Sequence, residues 1–197
     1  GYIAGDSGII LRTADAGSTW SKLTSGTTTN LRDIWCTTAP VCLAVGNGGV
    51  IRKSTNGGSS WSGPSSGTTQ DLVSVQFHTP VYLYEAHHVS RSSRFARSPN
   101  GGSSWSASNA GATGINDMYF SDMSTGYLAG NNGTLLKTID QGDTWKTLSA
   151  GTSADINSVF FTDPIRGFCA GSGGILLRTT DGGEHWTLQP SPVTTAL

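Results

Sequence analysis

Charge is scarce in this 197-residue chain: Asp, Glu, Lys and Arg make up 13% of it and nearly cancel, leaving a formal net charge of −1 and a pI near 6.4. Nothing in that balance provides the field that draws nucleic acid or an anionic membrane to a protein. No run of about 18 apolar residues occurs, so no transmembrane helix is expected. Glutamate is confined to Glu85 and Glu184, and nucleophile motifs, phosphate-binding loops and metal-ligand spacings are missing. Proline is sparse at 7 residues, whereas Gly reaches 27 and Ser and Thr crowd the segments between apolar runs, as in an all-β protein with many turns.

What the chain has instead is a repeat. The octapeptide TADAGSTW at 13 to 20 returns as STNGGSSW at 54 to 61, SPNGGSSW at 98 to 105, TIDQGDTW at 138 to 145 and TTDGGEHW at 179 to 186. A period near 40 residues with several short strands per unit is the mark of a propeller or related array. In each box the Asp or Asn (Asp15, Asn56, Asn100, Asp140, Asp181) is expected to accept backbone N–H groups within its own turn, and a Gly to supply positive φ. The closing tryptophans, Trp20, Trp61, Trp105, Trp145 and Trp186, start the next strand with a large apolar surface to bury between units.

These boxes resemble the Asp-box, or BNR, repeat of sialidases, sortilin-type receptors and xyloglucan-degrading glycosidases. GYLAGNNGTLLKTIDQGDTW and GFCAGSGGILLRTTDGGEHW are similar to the repeats of the photosystem II assembly and stability factor family. The resemblance covers essentially the whole chain and implies a β-propeller, with an assembly or scaffolding role through protein contacts. It leaves function open, because the box is a folding device shared by proteins of unrelated activity.

The repeat reads as four antiparallel strands. In the fourth unit these are Ile115 to Phe120, Gly126 to Gly130, Thr134 to Thr138 and Trp145 to Leu148, and the equivalent first strands begin at Leu31, Leu72 and Ile156. One all-β propeller domain over 1–197, most simply of five blades and monomeric, is the expectation. The first unit opens in mid-repeat at Gly1 and lacks a first strand, so the ring needs one from elsewhere. Either Val193 to Leu197 is drawn in as a short closing strand, helped by Pro190 and Pro192, or the chain is part of a larger propeller.

Of the three cysteines, Cys36 and Cys42 flank a hairpin end where facing positions can be bridged, which would indicate an oxidising, extracytoplasmic compartment; two buried thiols is the alternative. Cys169 occupies a strand position filled elsewhere by Ile3 and Leu128, as a core residue would.

Candidate functional residues gather where the repeat breaks its own rule. Four units share a Gly-rich turn between their second and third strands; the middle unit replaces it with Glu85-Ala86-His87-His88-Val89-Ser90-Arg91-Ser92-Ser93-Arg94. Three readings compete. Adjacent His87 and His88 would point to opposite faces of a strand, so a metal needs them on a loop. Arg91 and Arg94 suit bidentate capture of carboxylates or hydroxyls, with Glu85 beside them and Trp35, Tyr82, Tyr84 or Tyr119 as stacking surfaces. The third reading is a solvated, degenerate loop. Cations recur before each box, at Arg12, Lys53, Arg97, Lys137 and Arg178, in the pattern expected of pairing with a neighbouring box acid. Asp33, Ser74, Asp117 and Ser158 align on the first strands, where water is the default occupant and a cation the alternative.

For function, a sialidase is disfavoured: the chain has no Arg-Ile-Pro segment and Glu184 sits inside a box. A glycosidase would have to draw its two carboxylates from Asp33, Asp117 and Glu85. A binding module needs only a rigid scaffold with variable loops, its partner a protein or, in the rival reading, a polysaccharide or glycan. No cofactor is expected.

Overall fold

The octapeptide period becomes a succession of antiparallel sheets in a computed structural model that describes residues 1–37, 40–77, 83–87, 94–112 and 114–195, with backbone alone at 83–87 and 94. The first sheet is β1 (Tyr2–Ala4), β2 (Ile9–Arg12) and β3 (Ser21–Thr24); the second is β4 (Leu31–Cys36), β5 (Cys42–Gly46) and β6 (Ile51–Ser54). The third is β7 (Leu72–Phe77), β8 (Leu83–His87), β9 (Arg94–Ser98) and β10 (Ser106–Asn109). The fourth contains β11 (Ile115–Phe120), β12 (Gly126–Gly130), β13 (Leu135–Thr138) and β14 (Lys146–Thr147), and the fifth β15 (Ile156–Phe161), β16 (Gly167–Gly171), β17 (Leu176–Thr179) and β18 (Thr187–Gln189). Each sheet is a meander in which chain neighbours pair. The second sheet reduces its last strand to a single bridge between Lys53 and Ser62. Two compact units emerge, 1–87 with 96–107, and 88–95 with 108–197.

Within a repeat, the connections sort to the two ends of the sheet. The box docks on the turn between the first two strands, with Gly57 N–H donating to Pro40 O, Gln141 to Ser124 O and Gly182 to Ile165 O at 2.8 to 3.0 Å. At the other end a one-turn 3-10 element links the second and third strands, and its first N–H returns to the segment before the first strand: Asn47 to Asn30 O, Asn131 to Gly114 O, Ser172 to Asp155 O. Two successive left-handed residues end each of these turns, and the second is always glycine. A Cβ at Gly8, Gly49, Gly133 or Gly174 would lie 2.0 Å from a carbonyl oxygen of Thr27, Thr68, Thr152 or Val193.

The last of those contacts bears on the tail. Val193 lies against Gly174 as Thr27 lies against Gly8, and Ser191 Oγ bonds Val193 O as Ser25 Oγ bonds Thr27 O. Residues 190–195 thus follow the register of an inter-repeat connection and form no strand, in place of the closing strand expected from Val193 onward; 196 and 197 lie outside the described residues.

The cores lie between consecutive sheets. In the first unit, Leu43, Val45 and Ile51 of the second sheet pack on Leu72, Val75 and Phe77 of the third. In the second, Tyr127, Ala129 and Leu135 of the fourth meet Val159, Phe161, Cys169 and Leu177 of the fifth, with the Tyr127 and Phe161 rings stacked at 4.0 Å. Hydrophobic runs without strict alternation follow, because both faces of such a sheet are covered.

Candidate functional site

The four complete first strands carry the same irregularity: pairing slips between Leu31 and Asp33, Leu72 and Ser74, Ile115 and Asp117, and Ile156 and Ser158. A bulge of this kind re-aims the side chain that follows it. Asp33 is thereby turned onto the next repeat, where Oδ2 accepts the Val75 N–H at 2.8 Å and the Ser74 hydroxyl at 3.3 Å, while Oδ1 accepts its own Ile34 N–H at 2.7 Å. Asp117 repeats the arrangement with Val159 N–H and Ser158 Oγ, both at 3.0 Å, and Met118 N–H at 2.8 Å. Burial pushes the Asp33 carboxyl up, against the lowering pull of those N–H donors. The four aligned residues are two direct Asp–Ser couplings where water or a cation was expected, and two of the three carboxylates considered for hydrolysis, Asp33 and Asp117, are engaged in holding a neighbouring strand.

Trp35 and Tyr119 occupy equivalent places two residues beyond those aspartates. Trp35 remains 38% exposed and borders a shallow recess of about 390 Å³ with Gly1, Tyr2, Ile34, Cys36 and Thr37. Tyr119 is drawn inward: its hydroxyl donates to Phe161 O at 2.8 Å and its ring meets Phe160 edge-on at 5.1 Å. Of the pair, Trp35 is the more exposed.

In the irregular repeat, the backbone places Glu85 opposite Val75 and His87 opposite Leu72 on β8, and Arg94 opens β9. His88, Arg91 and Tyr82 lie outside the described residues. Among the described residues no group of three or more His, Cys, Asp or Glu side chains converges as a metal site would require.

The boxes are stapled as their composition suggests. Asp140 Oδ1 accepts the Thr138 hydroxyl at 2.7 Å and the Thr144 N–H at 2.9 Å, Oδ2 takes the Thr144 hydroxyl, and Thr138 Oγ1 accepts the Gly142 N–H at 2.9 Å. The same web surrounds Asp15, Asn56, Asn100 and Asp181. These bonds, the Thr144 and Thr19 hydroxyls foremost, hold Asp140 and Asp15 down to about 2. Two of the five pre-box cations reach the following box: Lys137 Nζ bonds Glu184 at 3.0 Å and Gly182 O at 2.7 Å, and Lys53 Nζ bonds Ser103 Oγ, not an acid, at 3.1 Å. Lys146 joins Glu184 at 2.9 Å and, with Lys137, draws its carboxyl down to about 2. Sequence reasoning missed one inter-repeat staple, the tyrosine hydroxyl on a box carbonyl, from Tyr2 to Gly57 O and from Tyr127 to Gly182 O. Its signal was the Gly-Tyr opening shared by 1–2 and 126–127. Cys36 and Cys42 pair across β4 and β5 and are joined by a disulfide. Cys169 is buried, which pushes its thiol up and keeps it inert.

Meanders of three or four strands, packed face on face within each unit and carrying Asp-box hairpins, match known propellers. YCF48 from Cyanidioschyzon merolae superposes with a TM-score of 0.74 at 19% identity, over 98% of this chain and 70% of that one. A structure of YCF48 bound to D1 peptide gives 0.72 at 23% identity, over 91% and 59%. The chain is a BNR-repeat β-propeller. The family described as Photosynthesis system II assembly factor YCF48 matches residues 101–191, the stretch from within the third box through the fifth, and the propeller resembles that factor. The GH74 xyloglucanase from Xanthomonas campestris shares the fold as well, at a TM-score of 0.74 and 18% identity, over 93% of this chain and 34% of that one. No curated protein matches the sequence.

Proposed function

We propose that this propeller is a non-catalytic docking module of the assembly-factor kind, which takes a segment of a protein partner on the loops of its irregular third repeat. What supports the reading most is the match of residues 101–191 to an assembly-factor family, a solved member of which holds a peptide. The engagement of Asp33 and Asp117 in strand-to-strand bonds adds to it, since neither oxygen pair is left to move a proton for a substrate. By residue type, Arg91 and Arg94 suit bidentate capture of a carboxylate-bearing segment, with His87, His88 and Glu85 close in sequence. The disulfide favours an extracytoplasmic or lumenal setting.

Charge reversal at Arg91 and Arg94 is expected to abolish capture of the partner segment while the thermal transition stays in place; undiminished capture would remove these arginines from the account. A glycan-binding reading has one observation in its favour, the solvent-facing Trp35 beside a shallow recess. It predicts retention on xyloglucan that disappears in Trp35→Ala.

A further inference from the structure

The hairpin ends that receive the boxes are clasped in two different ways. In the fourth and fifth repeats the last residue of the first strand, Phe120 or Phe161, lies over the glycine across from it, Gly126 or Gly167, so closely that a Cβ there would come within 2.5 or 2.6 Å of the ring. An aspartate then closes the turn. Asp122 Oδ1 accepts the Ser124 and Thr125 N–H groups, both at 2.8 Å, and Asp163 Oδ1 accepts those of Ile165 and Arg166 at 3.0 and 2.8 Å. Both devices are indifferent to redox state. The second repeat has neither. Cys36 and Cys42 fill the phenylalanine and glycine places in the same register and are joined by the disulfide, and Thr38 stands in the sequence where Asp122 and Asp163 do.

A short relay of contacts depends on that clasp. Pro40 O, within the loop that the bridge closes, accepts the Gly57 N–H of the box at 2.8 Å, and Gly57 O accepts the Tyr2 hydroxyl of the first sheet at 3.0 Å. The box has little hold on its far side, where the strand that follows is reduced to the Lys53–Ser62 bridge; the fourth and fifth repeats pair two and three residues there. The Thr37 N–H, bonded to Val41 O at 2.9 Å, holds the ends of β4 and β5 together without the bridge, as Ser121 and Thr162 do in their own repeats. Loss of the bridge therefore acts on the turn and its box more than on the strands.

We propose that the Cys36–Cys42 bridge is a redox-operated latch on the Asp-box of the second repeat, closed when oxidised and opened by a dithiol reductant. Cys42 is buried, so the attacking thiolate bonds Cys36 Sγ; the S–S bond of the bridge breaks, and Cys42 Sγ leaves with the electron pair and takes up a proton. The reductant's second thiolate then attacks its own sulfur in the mixed disulfide and displaces Cys36 Sγ, which is protonated in turn. The dithiol ends as a disulfide and the chain as two thiols. Pro40 O loses its fixed place, and the bond to Gly57 opens with the Tyr2 staple behind it. The latch is independent of the docking role assigned to the third repeat.

Residue-by-residue amide exchange of the whole chain, before and after dithiothreitol and without denaturant, tests it. The Gly57 N–H is expected to exchange about tenfold or more faster in the reduced chain, the scale of opening that loss of a short-loop crosslink permits. The references are the equivalent box amides, Gln141 and Gly182, and the Gly46 N–H at the opposite end of the second sheet, bonded to Val50 O; all of them should lag behind Gly57. Cys36→Ser/Cys42→Ser should match the reduced parent at Gly57 whatever the reductant. Equal acceleration at Gly57 and its references would make the bridge a general staple and overturns the proposal. So does an unchanged Gly57 rate in the reduced chain or in the serine variant, or a bridge that dithiothreitol leaves intact until denaturant is added.

Discussion

At the residue scale, the fold depends on short side chains that occupy backbone donors the turns leave over. Thr138 is buried, and its Oγ1 is the acceptor for the Gly142 N–H at the head of the box. Thr138→Val keeps the shape and removes the acceptor, which should cost about 1–3 kcal/mol, the penalty for an orphaned buried N–H. Equilibrium denaturation measures it directly, and an unchanged midpoint would mean the box holds its turn without that bond.

Two classes of aspartate act in opposite directions with pH. Asp15 and Asp140 are held at about 2 in the fold, below the ordinary 3.8, so their contribution is complete above that ordinary value and is lost as pH falls through the folded one. Asp33 is raised by burial. Between its ordinary and raised values the folded state binds the extra proton, so stability from this group falls as pH rises through that window. Asp33→Asn retains an acceptor without the charge, and its melting temperature relative to the parent should therefore climb from pH 3.5 to pH 7. Asp33→Ala leaves the Val75 and Ile34 N–H groups without their acceptor and should destabilise by about 1–3 kcal/mol throughout. A parallel pH dependence in parent and Asp33→Asn would contradict the assignment.

At the scale of the element, strand positions were legible because each repeat states them again. The first strands of four repeats begin where the aligned apolar residues place them, and in the fourth repeat Ile115–Phe120 and Gly126–Gly130 coincide with β11 and β12. The bulge ahead of Asp33 and Asp117 was not legible, since an extra residue in a six-residue strand leaves no trace in composition. Without it the carboxylates read as groups at a mouth; with it they read as couplings between strands. The tail misled for a related reason. Val193 looks like a strand former, yet its carbonyl is placed by the glycine turn at Gly174, which outweighs side-chain preference.

The Cys36–Cys42 hairpin is the element most open to a direct test. The bridge closes a loop of sequence separation 6, for which chain entropy predicts roughly 2 kcal/mol of stabilisation. Reductant should lower the unfolding free energy by that amount with strands β4 and β5 retained. No shift would show that the pairing of the two strands carries the hairpin alone.

On the scale of the whole molecule, repetition makes the fold readable and the function obscure. The motifs that recur, the box, the glycine turn and the pre-box lysines at Lys53 and Lys137, are accounted for by contacts within or between sheets. Only departures from the repeat remain for recognition, and they concentrate in 85–94, where one sequence offers no second instance against which to read it. The proposed docking role therefore rests on the residue types at Arg91 and Arg94 and on likeness to a propeller solved with a peptide.

One measurement tests that claim most directly: a binding screen in which the intact chain and its Arg91→Glu/Arg94→Glu variant are offered carboxylate-bearing peptides and xyloglucan together, with reducing-sugar release read in the same wells. The account predicts peptide capture by the parent, loss of capture in the variant, and no released sugar in either. Release of sugar, or peptide capture that the variant retains in full, would contradict it.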